Sequence, residues 1–314
     1  MVSAQSAKNA PLRMLVAVDG SPSSTAAVQF VASRLAFNGA PPRIDLVNVQ
    51  TPIPAYPARV AGGATVRAYH ASQSRRILLP AQAVLEKSGL AVARRCIVGV
   101  AGTALGRLAA KGADLIVMGA HGRTATAGLV FGSVTNTVLA SCKTPVLIVR
   151  APLRRRAKPT AGGLHVGIAI DGSKYSAAAI RYVLKHIQLF GPSPTLSLIH
   201  VVPDLLSVYV PGLAQMPTPM FSPEQAVDSQ RRAFAATLAP ARRLVARAGL
   251  AAAEIPLVSN GPGDALAAYA TEKKLDLLVM GSHGYGALKS LLLGSVTTRV
   301  AAKCKTPLLL IRAP

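Results

Sequence analysis

One glycine pattern occurs twice in this chain and leaves few folds open. The first copy runs Gly119-Ala-His-Gly122, then nine residues, then Gly132-Ser133. The second runs Gly281-Ser-His-Gly284, then nine residues, then Gly294-Ser295. Each follows a short apolar run that ends in Met-Gly: Asp114-Leu-Ile-Val-Met118 and Asp276-Leu-Leu-Val-Met280. A buried strand that enters a glycine loop and then a helix is a phosphate-binding arrangement. Glycine permits positive φ and close backbone approach. The loop N–H groups and the N-terminus of the next helix present partial positive charge to an anion. The pattern points to a nucleotide site, and its repetition to two.

The duplication extends past the loops. Met14-Leu-Val-Ala-Val-Asp19-Gly-Ser21 returns as Val166-Gly-Ile-Ala-Ile-Asp171-Gly-Ser173, 152 residues later. Cys142-Lys-Thr-Pro145 returns as Cys304-Lys-Thr-Pro307, 162 residues later. The second copy therefore carries ten extra residues, placed at Leu205 to Pro223, which is longer than its counterpart Thr51 to Thr65. A repeat of this period means tandem domains, because solenoid repeats are much shorter.

Within the first copy, continuous apolar runs predict strands at Arg13–Asp19, Ile44–Val49, Ala91–Val98, Asp114–Met118 and Val146–Val149. Helices are expected over about 25–37, 69–88, 104–112 and 133–142, with Thr51–Pro57 as a Pro-rich connector and Gly89 as a C-cap. The second copy predicts strands at Val166–Ile170, Leu196–Val202, Ala252–Val258, Leu275–Met280 and Leu308–Ile311. Its helices begin near Tyr175, Pro223, Gly263 and Ser295. Alternating β and α elements mean an α/β fold with a five-stranded parallel sheet per domain and helices on both faces. Ligands of such sheets bind at the carboxyl ends of the strands, where Asp19, Gly119, Asp171 and Gly281 lie.

The chain is 51 % hydrophobic, enough for two cores. No apolar stretch approaches the ~18 residues of a membrane span, and the first residues lack the apolar core of a signal peptide. The expectation is a cytoplasmic protein without a membrane partner. Cys96, Cys142 and Cys304 show no metal or CxxC spacing and read as buried thiols. The formal net charge is +23: +12 over residues 1–150, +4 over 151–160 and +7 beyond. One dense run is Arg154-Arg155-Arg156-Ala-Lys158. Such a balance favours polyanions. The few aromatics do not interleave with the basic residues, so no stacking signature for single strands accompanies it.

Together, Val-Asp-Gly-Ser at a first strand end, Asp-Leu-Ile-Val-Met-Gly before Gly-x2-Gly-x9-Gly-Ser, and Thr-Pro-Val-Leu-Ile-Val resemble the universal stress protein domain. The resemblance covers both halves. It implies two tandem Rossmann-like domains of the adenine nucleotide alpha hydrolase type, at 11–150 and 164–314. A tail at 1–10 and a linker at 151–163 complete the chain. It further implies the ATP-binding branch of the family, with ATP, and Mg2+ carried by it, as the ligand. Asp19 and Asp171 would meet the ribose or the metal, and Val49 and Val201 would offer backbone to the adenine. Gly119, Gly122, Gly132 and Ser133 would hold phosphates in site one, joined by Thr135. Gly281, Gly284, Gly294 and Ser295 would do so in site two, joined by Thr297. The halves are expected to pair through their last strands, and a homodimer remains open.

Each assignment has a plainer alternative. Asp19 and Asp171 also suit a turn before Gly-Ser. Ser133 and Ser295 also suit N-caps. His121 and His283 could order the loop or move a proton. The leading function is a stress-response regulatory or protective module that binds ATP in each half. A slow ATPase or nucleotidyl-transfer enzyme is the alternative, although no Gly-Lys-Ser/Thr phosphate loop is present. A basic protein associated weakly with nucleic acid is the third.

Overall fold

The computed structural model describes residues 11–35, 41–123, 130–152, 162–206, 222–284 and 293–312. The tail at 1–10, most of the linker, the basic run at 154–158 and most of the Leu205–Pro223 stretch lie outside them.

The described chain alternates as expected. The first half runs β1 (Arg13–Ala17), α1 (Pro22–Ser33), β2 (Arg43–Gln50), α2 (Ala55–Ala61), α3 (Gly63–Glu86), β3 (Val92–Val98), α4 (Ala101–Ala109), β4 (Leu115–Gly119), α5 (Ser133–Ser141) and β5 (Val146–Val149). The second half runs β6 (His165–Ala169), α6 (Lys174–Lys185), β7 (Thr195–Val202), α7 (Pro223–Arg247), β8 (Ala252–Val258), α8 (Pro262–Glu272), β9 (Leu277–Gly281), α9 (Ser295–Lys303) and β10 (Leu308–Ile311).

Several helix bounds depart from expectation: α3 begins at Gly63 and is capped at Lys87 and not Gly89, α4 spans Ala101–Ala109, and two further departures have a local reason. The Thr51–Pro57 connector is not all loop, because α2 begins at Ala55. Pro54 precedes it as N-cap residue and Pro57 falls in its first turn, where a missing N–H costs nothing. The first helix starts at Pro22, three residues earlier than predicted. Ser21 caps it, accepting from the Ser24 N–H at 3.2 Å, and Pro22 takes the first helical position.

The strands form one ten-stranded sheet in the order β3-β2-β1-β4-β5-β10-β9-β6-β7-β8. Within each half every pairing is parallel. The halves join where β5 meets β10 antiparallel, with Leu308 opposite Ile148 and Leu310 opposite Val146. Helices α1, α3, α6 and α7 cover one face around Phe30, Leu85, Ile180 and Leu238. Helices α4, α5, α8 and α9 cover the other around Leu105, Leu139, Leu266 and Val300. Both faces of the central strands are thus dry, and β4, β5, β9 and β10 are buried at every residue. The edge strand β3 is largely exposed. Cys96 lies on it and is exposed, whereas Cys142 and Cys304 are buried, so the expectation of three buried thiols fails for Cys96. An edge strand has one open side and here little helix cover.

Polar clasps repeat across the join. Arg150, just after β5, donates to the carbonyls of Val130 at 2.8 Å and of Ala301 in α9. Arg312, just after β10, donates to Leu139 and Ala140 in α5 and to Cys142. Each arginine of one half therefore neutralises the carbonyl end of a helix in the other. A second matched pair differs in chemistry. Arg34, after α1, meets Asp276 at 3.3 Å, with side chains 8 % and 13 % exposed. The equivalents in the opposite sense are His186 and Asp114. Here Tyr182 donates to the Asp114 carbonyl at 3.1 Å, and its ring packs on His186 at 4.6 Å. Asp114 and Asp276 also accept the N–H groups of Arg13 and His165, which ties each to the first strand of its own half.

Removing one partner of a nearly dry ion pair leaves the other charge stranded. Arg34→Ala should therefore cost about 3 kcal/mol in urea denaturation; a change under about 0.5 kcal/mol would show the pair to be incidental. His186 gives a pH dependence. Burial pushes its imidazole below the usual histidine value; Lys185 acts the same way, and Asp114 opposes both. The unfolded chain takes up a proton at about 6.5 that the fold resists, so stability falls as pH drops through that value. His186→Asn should flatten the stability loss between about pH 7 and pH 5. An identical slope in both proteins would remove His186 from the account.

Candidate functional site

Each half builds a crevice at the carboxyl end of its sheet, between its first strand and the glycine loop. In the first half the last β1–β2 rung is Val18 N–H to Val47 O at 2.9 Å. Asp19 follows. Its Oδ1 accepts the Ser21 N–H at 2.9 Å across Gly20, whose φ is +81°. Such a φ is costly for any residue with a Cβ. The second half repeats this: Asp171 Oδ1 accepts from Ser173 at 2.9 Å, across Gly172 at φ +81°. The turn role of the aspartates is therefore real, but it occupies only one oxygen. The other, Oδ2, faces the glycine loop. A Cβ on Gly122 would lie 2.9 Å from Asp19 Oδ2, and one on Gly284 2.7 Å from Asp171 Oδ2.

The signature glycines are needed for space. None of Gly119, Gly122, Gly132, Gly281, Gly284 and Gly294 has a positive φ, contrary to the conformational half of the sequence argument. A Cβ on Gly119 would stand 2.7 Å from the Ser23 carbonyl carbon and the Ser24 nitrogen. On Gly281 it would stand 2.6 Å from Tyr175 Cβ. These two glycines let the first turn of α1 or α6 rest directly on the end of β4 or β9. Gly132 and Gly294 sit against the Cα of His121 and His283, at 3.4 and 3.2 Å from a built Cβ. The same points are 3.6 and 3.5 Å from the amide nitrogens of Gly122 and Gly284. The loop amide and the start of the following helix therefore converge, as an anion site requires.

Ser133 and Ser295 are not N-caps. The capping residues are Gly132 and Gly294, at φ/ψ of −68/163° and −64/155°, and the serines are the first residues of α5 and α9. Thr135 and Thr297 are buried and committed to the fold. Thr135 Oγ1 donates toward the Gly119 and Ala120 carbonyls at 3.1 and 3.3 Å, and Thr297 Oγ1 to Gly281 at 3.0 Å. Each pins its helix to the strand end, and its hydroxyl proton is spent there. The His121 carbonyl accepts from the Ser21 hydroxyl at 3.3 Å. His283 Nδ1 lies 3.1 Å from Ser282 Oγ, and its ring packs on Tyr175 at 5.3 Å. Both histidines thereby order the loop. Tyr285, Lys289 and Ala127, where the two loops differ, lie outside the described residues.

Val49 and Val201 offer backbone in the right direction. Successive residues of a strand point their N–H and C=O groups to opposite sides. Gln50 O accepts from Gly99 on the β3 side, and Val47 O accepts from Val18 on the β1 side. Val49 therefore points toward β1, past the place where β1 has ended. Ile199 O to Ile170 and Val202 O to Ser259 put Val201 in the same position. Asp19, Val49, Gly119, Gly122 and Thr135 line one cavity of about 80 Å³. Asp171, Val201, Gly281, Gly284, Gly294, Ser295 and Thr297 line another of about 360 Å³.

Two residues that brace these crevices escaped sequence reasoning. Asn48 Nδ2 donates to Val18 O at 2.7 Å, and His200 Nδ1 lies 2.7 Å from Ile170 O. Each braces the carbonyl just before the aspartate. They differ between the halves, so a search for repeated residues passes over them.

A family model described as the universal stress protein family matches residues 12–150 and 164–312. The chain belongs to the universal stress protein family. A universal stress protein of Mycolicibacterium smegmatis is 28 % identical, across 95 % of this chain and 96 % of its own length. A Bacillus subtilis universal stress protein is 31 % identical, with 46 % of this chain covering 96 % of it. This tandem universal stress protein also shares its fold with one from Archaeoglobus fulgidus, at a TM-score of 0.63 and 17 % identity, over 96 % of each chain. Among the described residues no helix is long and apolar enough to cross a membrane.

The packing assigns different costs to neighbouring residues. Gly119→Ala forces a methyl into backbone and should cost about 2 kcal/mol of stability. Ser133→Ala should cost less than about 0.5 kcal/mol, because a true N-cap loses about 1. Denaturant titration of both variants checks this; the reverse order would restore Ser133 as the cap.

Proposed function

We propose that this universal stress protein binds an adenine nucleotide, ATP, in the crevice of each half, and serves as a regulatory or protective module of the stress response. One observation carries the reading. In both halves a carboxylate oxygen, an unpaired stretch of strand backbone and the second glycine of the loop, Gly122 or Gly284, border the same crevice. The three match the parts of a nucleotide. Asp19 and Asp171 suit ribose hydroxyls, or Mg2+ carried by the phosphates. The backbone of Val49 and Val201 presents one donor and one acceptor, which complements an adenine edge. The amides at Gly122 and Gly284 suit phosphate, with the first turns of α5 and α9 and the uncommitted hydroxyls of Ser133 and Ser295 beside them, whereas the Gly132 and Gly294 N–H groups are already given to the Ala120 and Ser282 carbonyls.

Binding is favoured over turnover. Asp19 and Asp171 are the carboxylates that line the described crevices, and each has one oxygen tied in its turn. Phosphoryl transfer needs a group that positions the nucleophile as well as a cradle for phosphate. The geometry favours the cradle.

Calorimetry with ATP and Mg2+ tests the reading. Two sites per chain are expected in the parent protein. Gly122→Val and Gly284→Val should each remove one, since the branched side chain displaces the facing aspartate. Asp19→Asn should weaken the first site mainly when Mg2+ is present if metal contact dominates. Unchanged stoichiometry in both glycine variants would overturn the placement of the sites.

A further inference from the structure

Positions 48 and 200 are equivalent in the two halves, and their side chains begin with the same task. Asn48 donates Nδ2–H to Val18 O, and His200 meets Ile170 O through Nδ1, each at 2.7 Å. A carbonyl oxygen only accepts, so Nδ1 of His200 carries the proton, and in the neutral ring Nε2 bears a lone pair. The halves diverge at the second bond. Asn48 Oδ1 accepts from Gln50 Nε2 at 2.6 Å, so the side chain's acceptor is already used within the chain. The counterpart of Gln50 is Val202, which has no side-chain donor. The His200 ring also lies beside Phe234, at 6.2 Å between centroids, which supplies no donor. His200 lines the cavity of about 360 Å³ together with Asp171 and Val201. Asn48 is absent from the lining of the 80 Å³ cavity in the first half.

We infer that His200 is a specificity-determining residue of the second crevice, where Nε2 accepts a hydrogen bond from the nucleoside part of the ligand. The second half is then the tighter and more selective of the two sites. The inference rests on the nucleotide reading above. The nucleoside groups that donate are the adenine 6-amino group and the ribose hydroxyls. Inosine carries a carbonyl at the same ring position, which would set lone pair against lone pair. A site that leaves its own acceptor unpaired rejects such a ligand, because the burial cost is not recovered.

The full chain carrying Gly122→Val reports the second crevice alone. Calorimetry compares ATP, inosine triphosphate and 2′-deoxy-ATP. One analogue should bind about tenfold more weakly than ATP. Loss with inosine triphosphate identifies the amino group as the donor, and loss with the deoxy nucleotide identifies the 2′-hydroxyl. Adding His200→Asn and Val202→Gln rebuilds the first half's arrangement. ATP should then bind about tenfold more weakly, and the discrimination should drop to what the Val201 backbone alone supplies. The reciprocal change, Asn48→His with Gln50→Val in a Gly284→Val chain, should tighten the first crevice about tenfold, which a misfolded variant could not do. If the parent chain binds ATP but its discrimination survives the His200 change undiminished, this inference is wrong while the nucleotide reading stands. If the parent chain binds no ATP at all, both fall.

Discussion

The structure depends on a contact that only glycine allows. At Gly119 and Gly281 the end of a central strand touches the first turn of the opening helix with no room for a Cβ. That contact sets the helix, and with it the capped turn at Ser21 or Ser173, against the strand end. The turn holds one oxygen of Asp19 or Asp171 and aims the other at Gly122 or Gly284, which must again lack a side chain. Thr135 and Thr297 then fasten the next helix to the same strand end. A carboxylate, a loop amide and a helix N-terminus are brought together by steric necessity. The proposed anion site is a by-product of how closely the layers pack.

The join between the halves follows from the apolar strands. β5 and β10 are Val-Leu-Ile-Val and Leu-Leu-Leu-Ile, buried at every residue. Left as edges, each would expose an unpaired backbone beside an apolar surface. Pairing them antiparallel buries both and leaves the more polar β3 and β8 outside. Arg150 and Arg312 then satisfy helix-end carbonyls across the join. The symmetry is imperfect in an informative way, since one clasp is Arg34 with Asp276 while its mate relies on His186 beside Asp114. One side keeps a permanent cation, and the other has a histidine whose charged form burial disfavours.

Much of this was legible in the sequence. Val146–Val149 and Leu308–Ile311 are strands to the residue, because Pro145 and Pro307 fix their starts and their runs are wholly apolar. The repeat placed Asp19, Asp171 and five of the six signature glycines in the crevices because both copies keep them, while Gly132 lies outside the lining of the first. What failed was local. Sequence cannot tell a glycine that needs positive φ from one that needs empty space, so the freedom belonging to Gly20 and Gly172 was assigned to the loop. It left capping open as the alternative for Ser133, since a serine at a helix start looks like a cap until the backbone shows glycine there. Asn48 and His200 were missed because they differ, although that difference separates the two crevices.

The central claim is that both crevices are built for an adenine nucleotide. It is tested most directly by analysing what the full chain carries when purified without added ligand. The protein is denatured, and the released small molecules are separated, identified by mass and counted per chain. Adenine nucleotide at a substantial fraction of one to two per chain is the predicted result. A chain that releases none, and that takes up none in equilibrium dialysis against millimolar ATP with Mg2+, would contradict the account.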